Sequence, residues 1–408
     1  MAPWEAEDSL DELSRLVDTA MLVTVDRVLQ SRDRIDPAHY IGKGKALEVK
    51  ALAHDSGADV IVFDNELSPA QLRNLETLIG GRVLDRSAVI LDIFARHART
   101  RTSQLQVELA QLHYLLPRLT GQWTHLSRQA GGGAIRGMAG AGVRGPGETQ
   151  LETDRRMIRR SIRTLDAKLT KIGTQRSVAR QQRQDAFKVA LVGYTNAGKS
   201  TLMRALSGAD VLVQDQLFAT LDSTTRAVDL GHNRQVLLTD TIGFIKRLPH
   251  HLFASFRSTL EDAVDTDLLL HVVDISHPNY EDHIETVNQV LKELELEDYP
   301  ILLVYNKIDQ AEQGPEAVIQ NCLERDDTVA VSGMQGIGLD ELRERVCRPC
   351  LEAAMTLDLQ IPQHEGRLLA QLHEQGEVLE TRYEDNDVCL KVRLDKVWAD
   401  RWELERFL

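Results

Sequence analysis

The sequence predicts an α/β protein whose main body is a doubly wound, mostly parallel sheet, accompanied by three smaller parts. Residues 1–100 read as an N-terminal α/β domain, 101–186 as an antiparallel helical hairpin with a glycine-rich tip loop, 187–353 as the sheet domain and 354–408 as a small C-terminal α/β appendage. Three observations lead there. Strand-length apolar runs alternate with helical patterns after Phe187, the arrangement of a parallel sheet covered by helices. Two apolar seams of helical spacing flank residues 131–150, of which eight are glycine. Shorter strand-helix alternations lie at both ends of the chain, and 408 residues suit two to four domains.

Taken in order, "AMLVTVDRV" and "ADVIVFD" alternate or run apolar and read as strands. "SPAQLRNLETLIG" reads as a helix with Ser68 as its N-cap, Pro69 in its first turn and Gly80 as its stop. "RVLDRSAVILDIF" then returns as a strand followed by a helix. The basic, glycine-spaced "YIGKGKALEVK" fits a phosphate-contacting loop or the start of a helix equally well.

Leu105, Leu109, Leu112, Leu116 and Leu119 are spaced 4, 3, 4, 3, and Ile158, Ile162, Leu165, Leu169 and Ile172 repeat that spacing. Two such seams joined by one loop predict a helical hairpin. Arg155, Arg156, Arg159, Arg160 and Arg163 fall off the second seam and make its outer face basic. From Arg96 to Lys188 there are 18 Lys/Arg against 6 Asp/Glu, a local charge of +12 in a chain of net −14. Such asymmetry marks a basic binding face on an acidic protein. A G-x-G-x-x-G at Gly140, Gly142 and Gly145 has no strand before it and no βαβ unit around it, so it is not read as a dinucleotide-binding turn.

In the sheet domain the strands are "KVALV", "QVLLTD", "LLLHVVD", "ILLVYN" and "TVAVS". After residue 356 a β-α-β-β pattern carries no recognisable chemistry. Four cysteines are too few for a disulfide framework, and Cys347-x-x-Cys350 lacks a second pair or a histidine pair at zinc-ligand spacing, so both read as structural thiols. The acidic N-terminus lacks a signal-peptide plan and no apolar run reaches the roughly 18 residues of a membrane span, which predicts a cytoplasmic protein without a span.

The chemistry concentrates in the sheet domain. "KVALVGYTNAGKST" places G-x-x-x-x-G-K-S, Gly193 to Ser200, between an apolar strand and a helix. This is a P-loop in its required context: backbone N–H groups curl round phosphates, Lys199 supplies a point charge to the β and γ phosphates, and the Ser200 hydroxyl ligates Mg²⁺. Asp240 ends the strand in "LTDTIGF", where a carboxylate holds the metal through water, and the Gly243 N–H faces the γ-phosphate. Asn306-Lys307-x-Asp309 ends another strand. The Asp309 carboxylate accepts both donors of the guanine N1–N2 edge, which adenine lacks, while Asn306 and Lys307 brace the loop and cover the ring. The "VSGMQG" segment from Ser332 suits a supporting loop for the base, with Ser-Gly where Ser-Ala is usual. In "QLFATLDSTTR", Thr220, Thr224 and Thr225 are all chemically able to ligate Mg²⁺ and sense the γ-phosphate. Phe244 stands where many GTPases place a water-orienting glutamine, so slow intrinsic hydrolysis is expected, with a partner or another residue completing the site.

These residues, with "LQVELAQLHYLLPRL" and "RGPGETQLETDRR", resemble the HflX family of ribosome-associated GTPases over roughly residues 10 to 350. The resemblance implies a P-loop GTPase fold and hydrolysis of GTP to GDP and phosphate, with ATP accepted by some members. It implies Lys199, Thr220 and Gly243 as catalytic residues, and Ser200 and Thr220, the threonine of "FATLD", as Mg²⁺ ligands. The implied nucleotide site runs through Gly193, Tyr194, Thr195, Asn196, Ala197, Gly198, Lys199, Ser200 and Thr201; Phe218, Ala219, Thr220, Leu221 and Asp222; Asp240, Thr241, Ile242 and Gly243; Asn306, Lys307, Ile308 and Asp309; and Ser332, Gly333 and Met334. It further implies a monomer that binds the large ribosomal subunit when GTP-loaded and splits or rescues stalled ribosomes under stress. The hairpin tip would enter ribosomal RNA, with Arg128, Arg136, Arg144, Arg155, Arg156 and Arg159 as contacts. Glycine permits close backbone approach to such surfaces, and arginine meets phosphates or stacks on bases. The tip loop "GGGAIRGMAGAGVRGPGET" is longer than the compact "GGGIGTRGPGET" form of the family. The alternative is a GTP-dependent signalling switch whose basic hairpin binds a protein effector. A weaker one, an RNA-modifying GTPase, finds no nucleophile or cofactor motif outside the nucleotide-binding domain.

Overall fold

The computed structural model describes residues 3–119, 150–181, 187–208, 217–231, 234–247, 249, 252, 255, 266–352, 354–384, 386–394 and 396–408. It divides into two compact units, 1–173 with 248–256, and 174–247 with 257–408.

In the first unit, α1 (Pro3–Thr19), α2 (Lys43–Ser56), β1 (Val60–Phe63), α3 (Pro69–Ile79), β2 (Arg82–Asp85), α4 (Arg86–His97), α5 (Arg101–Leu115) and α6 (Gln150–Gln181) follow in order, α6 running into the second unit. The α3 boundaries follow from local chemistry. Ser68 accepts the Gln71 N–H at 3.2 Å, the Gln71 side chain accepts the Ser68 N–H at 3.0 Å, and Gly80 closes the helix in the left-handed region. "YIGKGKALEVK" resolves as a helix start, with Gly42 as the N-cap of α2. Strands β1 and β2 pair in parallel, and Leu67, Leu75, Ile79 and Val83 pack with Ala46 around them.

One expected strand is absent. Residues 22–28 of "AMLVTVDRV" have no regular secondary structure, and Val23 is 83% exposed. Apolar alternation specifies a strand only where a ladder partner and a covered face exist, and among the described residues β1 pairs with β2 alone. Helix α1, which the sequence pattern did not single out, buries Leu13, Leu16 and Val17. Helix α4 is buried most completely, with Val89, Ile90, Leu91, Ile93 and Phe94 all under 5% exposed. Each such side chain contributes roughly 1.5–3 kcal/mol.

Two buried ionic clusters tie these helices down. Arg86 pairs with Glu12 of α1 and, at 2.7 Å, with Asp64 after β1. Asp85, fully buried, caps α4 through the Ala88 N–H (2.9 Å) and accepts from Tyr114 Oη (2.9 Å) and Arg118 (3.1 Å) near the end of α5. Replacing Arg86 by alanine would strand two carboxylates out of water. The expected loss is about 3–5 kcal/mol, read by urea denaturation of the full chain.

Both hairpin seams meet in one cluster: Leu105, Leu109 and Leu119 with Ile158, Ile162 and Leu165, flanked by Leu112, Leu116, Leu169 and Ile172. The glycine-rich segment with Arg128, Arg136 and Arg144 lies outside the described residues. Arg156 and Arg159 are exposed and Arg155 is partly so.

The second unit carries β3 (Phe187–Gly193), α7 (Lys199–Ser207), β4 (Thr224–Gly231), β5 (Arg234–Asp240), β6 (Leu268–Asp274), α8 (Tyr280–Glu293), β7 (Ile301–Asn306), α9 (Pro315–Leu323), β8 (Thr328–Ala330) and α10 (Leu339–Glu352). Its six strands lie in the order β4-β5-β3-β6-β7-β8, and only the β4–β5 pair is antiparallel. Strand β4 is a further element the sequence pattern did not disclose. It is an edge strand whose buried residues are Val228 and Leu230 alone, so it reads as polar. Cys347 and Cys350 sit in the apolar core beneath the sheet, and no group of three or more His, Cys, Asp or Glu is placed to hold a metal among the described residues. The appendage is β9 (Met355–Pro362), α11 (Gly366–Gln375), β10 (Glu377–Glu384), β11 (Asp387–Leu394) and α12 (Lys396–Arg401), an antiparallel sheet ordered β10-β11-β9. No helix among the described residues is long and apolar enough to cross a membrane.

Chain order reverses at β3: β5 lies on one side of it and β6 on the other. Open α/β sheets bind ligands outside the carboxyl ends of strands at such a point.

Candidate nucleotide-binding site

The loop from Gly193 to Gly198 leaves the carboxyl end of β3 and enters α7, whose N-terminal amides face the switch point. Two glycines are obligatory there. Gly193 has φ +153°, and a Cβ would overlap the Val272 carbonyl oxygen of β6; Gly198 has φ +91°, and a Cβ would overlap Asn306 Nδ2. Gly193→Ala must therefore displace strand backbone, and a loss of at least about 3 kcal/mol is expected by denaturant titration. Asn196, Phe218 and Lys307 also have positive φ, at 61°, 57° and 62°. Such backbone concentrates at ligand sites because packing elsewhere over-determines it.

Lys199 is 7% exposed, and its Nζ donates to the carbonyls of Gly193 (3.0 Å) and Tyr194 (2.9 Å). Burial lowers its pKa to about 8, against the opposing pull of Asp240. The Asp240 carboxyl is pushed upward by burial and drawn back by Lys199, Ser200 and Thr220. Ser200 Oγ donates to Asp240 Oδ2 at 2.6 Å, Thr220 Oγ1 to the same oxygen at 3.3 Å, and the two hydroxyls are 2.8 Å apart. The second carboxylate oxygen, Asp240 Oδ1, is buried with no side-chain hydrogen-bond partner among the described residues. These hard oxygen donors from three separate segments, one of them unsatisfied, fit a divalent cation of the Mg²⁺ kind. Of the three candidate threonines only Thr220 joins this group. Thr224 and Thr225 begin β4, and Thr225 pairs its hydroxyl with Thr239 at 3.0 Å.

The switch segment after β5 is fastened to the loop. Thr195 N–H donates to Phe244 O (2.7 Å) and Phe244 N–H to Gly193 O (3.1 Å). Thr241 Oγ1 donates to Leu191 O at 2.6 Å, and Ile242 and Phe244 are buried. Tyr194 Oη accepts the Lys246 N–H at 2.8 Å, while its ring stacks on His283 of α8 at 3.9 Å. Burial lowers the His283 pKa to about 3, so that ring is neutral at pH 7. Leu217, Phe218 and Leu221 are buried, with Ala219 and Asp222 half-buried beside them in sequence, and Thr201 is half-buried in the first turn of α7.

At the end of the site expected to read the base, Asn306 Nδ2 donates to Ala197 O (2.8 Å) and its Oδ1 accepts from Gly333 N–H (3.0 Å). One side chain thus couples the phosphate loop to the Ser332 loop. Lys307 pairs with Asp274 at 2.7 Å, and Asp309 lies half-buried in the single turn Ile308–Gln310. Ser332 is fully buried and accepts the Gln335 N–H at 3.1 Å. Gly333 has room for a methyl, since a Cβ would meet Leu202 at 3.4 Å, an ordinary contact. Ile308 is buried and Met334 is 71% exposed. Sequence reasoning missed the supporting residues Asp274, His283 and Lys246. Only the strand-end position of Asp274 in "VVDIS" offered a sign of it.

Three family profiles match the chain: "GTP-binding GTPase N-terminal" over 7–95, "GTP-binding GTPase Middle Region" over 97–183 and "50S ribosome-binding GTPase" over 188–307. The chain is 45% identical to the GTPase HflX of Magnetococcus marinus over 387 residues, covering 94% of this chain and 88% of that protein. It is 42% identical to the GTPase HflX of Escherichia coli over 390 residues, 95% of this chain and 90% of that one. The chain belongs to the HflX family. It is therefore a nucleotide-binding GTP hydrolase. The similarity to GTPase HflX of Alkalihalophilus pseudofirmus, 51% over 308 residues, covers 75% of this chain and 71% of that protein.

Proposed function

We propose that this HflX-family GTPase binds the large ribosomal subunit in its GTP form, hydrolyses GTP to GDP and phosphate, and thereby releases the subunit, acting as a cytoplasmic monomer that splits or rescues stalled ribosomes under stress. The observation that carries the reading is the meeting of Ser200, Thr220 and Asp240 oxygens within 2.6–3.3 Å. They come from the α7 start, the 217–222 segment and the end of β5, and together they place three hard oxygen donors where a cation-bound phosphate would sit. A Mg²⁺ ion would be held there by Ser200 and Thr220, with Asp240 behind, and would neutralise phosphate charge when bound.

The chain's own residues supply the rest. Lys199 and the loop amides from Gly193 to Thr201 cradle the phosphates, and the Gly243 N–H faces the terminal one. Asp309 reads guanine, and Asn306, Lys307, Ser332 and Gly333 hold it in place. The exposed Arg156 and Arg159 and the partly exposed Arg155 provide a cationic surface for RNA phosphates. The matching profile named for 50S ribosome binding supports that partner.

The test is co-sedimentation. Protein loaded with a non-hydrolysable GTP analogue is expected to pellet with purified large subunits, GDP-loaded protein much less, and binding should weaken steeply with salt. Equal pelleting in both states removes the switch, and protein that stays at the top of the gradient in both states points to a protein effector instead.

A further inference from the structure

Among the described residues, two buried side-chain oxygens of the nucleotide site lack a hydrogen-bond partner. One is Asp240 Oδ1, which a cation shell accounts for. The other is Thr195 Oγ1, on a residue only 6% exposed. A hydroxyl buried without a partner costs roughly 1–3 kcal/mol. Valine has nearly the same shape and would avoid that cost, so the hydroxyl calls for a partner that arrives with the ligand.

The surroundings identify that partner. Thr195 is fastened to the switch segment through its N–H on Phe244 O, at 2.7 Å. A Cβ placed on Gly243 would lie 2.9 Å from both Thr195 Cα and Cγ2, and 3.1 Å from Lys199 Nζ. The Thr195 Cα and methyl, Gly243 and the Lys199 ammonium therefore meet at one point, with the Thr195 hydroxyl on the same Cβ as that methyl, and Gly243 and Lys199 are the groups assigned above to the terminal phosphate. At the next position the Phe244 ring is buried and carries no polar atom.

We infer that the Thr195 hydroxyl donates a hydrogen bond to the terminal phosphoryl group of GTP during hydrolysis, supplying part of what the side chain at 244 does not. The hydroxyl keeps its proton throughout. Water forms the new P–O bond and gives one proton to an oxygen of the phosphate, the bridging P–O bond breaks with its electron pair leaving on the GDP oxygen, and the donor stabilises charge on the transferred group's oxygens. The inference rests on the nucleotide-site reading; wild-type protein unable to bind GDP would defeat that reading rather than this one.

The experiment compares full-length wild type, Thr195→Val and Thr195→Ser in three measurements: single-turnover hydrolysis at saturating GTP, GDP affinity with a fluorescent analogue, and melting temperature without nucleotide. The valine variant is expected to hydrolyse GTP about 10²-fold more slowly, as for loss of one oriented donor. It should bind GDP within about twofold of wild type and melt slightly higher, because the orphan hydroxyl is gone. Serine, which keeps the hydroxyl, should retain most of the rate. Wild-type turnover in Thr195→Val overturns the proposal, as does serine failing as badly as valine. A GDP affinity that falls as far as the turnover also overturns it, since loop geometry and not the hydroxyl would then have been lost.

Discussion

Lys199→Ala is expected to weaken GTP binding by at least about 10²-fold and to remove measurable turnover, because a charged donor to the β and γ phosphates is lost from a buried site. In the structure the ammonium rests on the Gly193 and Tyr194 carbonyls, so it is already oriented before nucleotide arrives. That arrangement has a pH consequence. Burial lowers the Lys199 pKa to about 8. Phosphate binding favours the charged form, so nucleotide binding takes up a proton once the free protein has lost it. Affinity should be flat below pH about 8 and should fall above it, by up to about tenfold per unit. For folding the sign is opposite. The folded pKa lies below the ordinary 10.5, so the charged lysine disfavours the folded state below pH about 8, and this penalty is relieved as pH rises toward 10.5. Calorimetric titration of GTP from pH 7 to 9.5 measures the first effect. Undiminished uptake by Lys199→Ala would remove the phosphate site from its assigned place.

Asp309→Asn is expected to lower guanine nucleotide affinity by roughly 10²–10⁴-fold, as two charge-assisted hydrogen bonds of about 1.5–3 kcal/mol each are lost. The amide presents a donor to the guanine donors, so repulsion adds to the loss. The same change should improve binding of xanthosine nucleotides, whose carbonyl replaces the exocyclic amine. Competition between the two bases for the variant reads the switch directly. The effect should be confined to the base: Asp309 sits in its own turn, while the loop is braced by Asn306 on Ala197 and Gly333 and by Lys307 on Asp274. Thermal stability near that of wild type is the accompanying expectation. Equal loss for both bases would show that Asp309 supports the loop rather than reading guanine.

Much of this site was legible along the chain because its chemistry is local. Gly193 to Ser200 is a loop whose spacing alone dictates a phosphate cradle, and Asn306 to Asp309 is one turn. Asp240 and Phe244 could be placed because each lies at a fixed offset from a strand end. The two hairpin seams were legible for a similar reason, since 4, 3, 4, 3 spacing is a property of one helix at a time, and both seams share one core. The strand expected in "AMLVTVDRV" failed because pairing is not a property of the segment that pairs. Strand β4 was hidden because an edge strand buries little, here Val228 and Leu230.

By itself, then, the sequence determined the five parallel strands of the sheet domain and the two hairpin seams, the phosphate and guanine motifs, the missing polar side chain at 244 and the basic character of the hairpin, all of which are written in neighbouring residues. Tertiary structure decided what residue chemistry left open among Thr220, Thr224 and Thr225: it brings Thr220, the one the family resemblance implied, to Ser200 and Asp240. It also decided that Asn306 couples two loops, and that Thr195, whose hydroxyl is buried without a partner among the described residues, packs against Gly243. Those facts depend on distances between residues far apart in the chain, and such distances exist only once the sheet has closed and water has left its carboxyl edge.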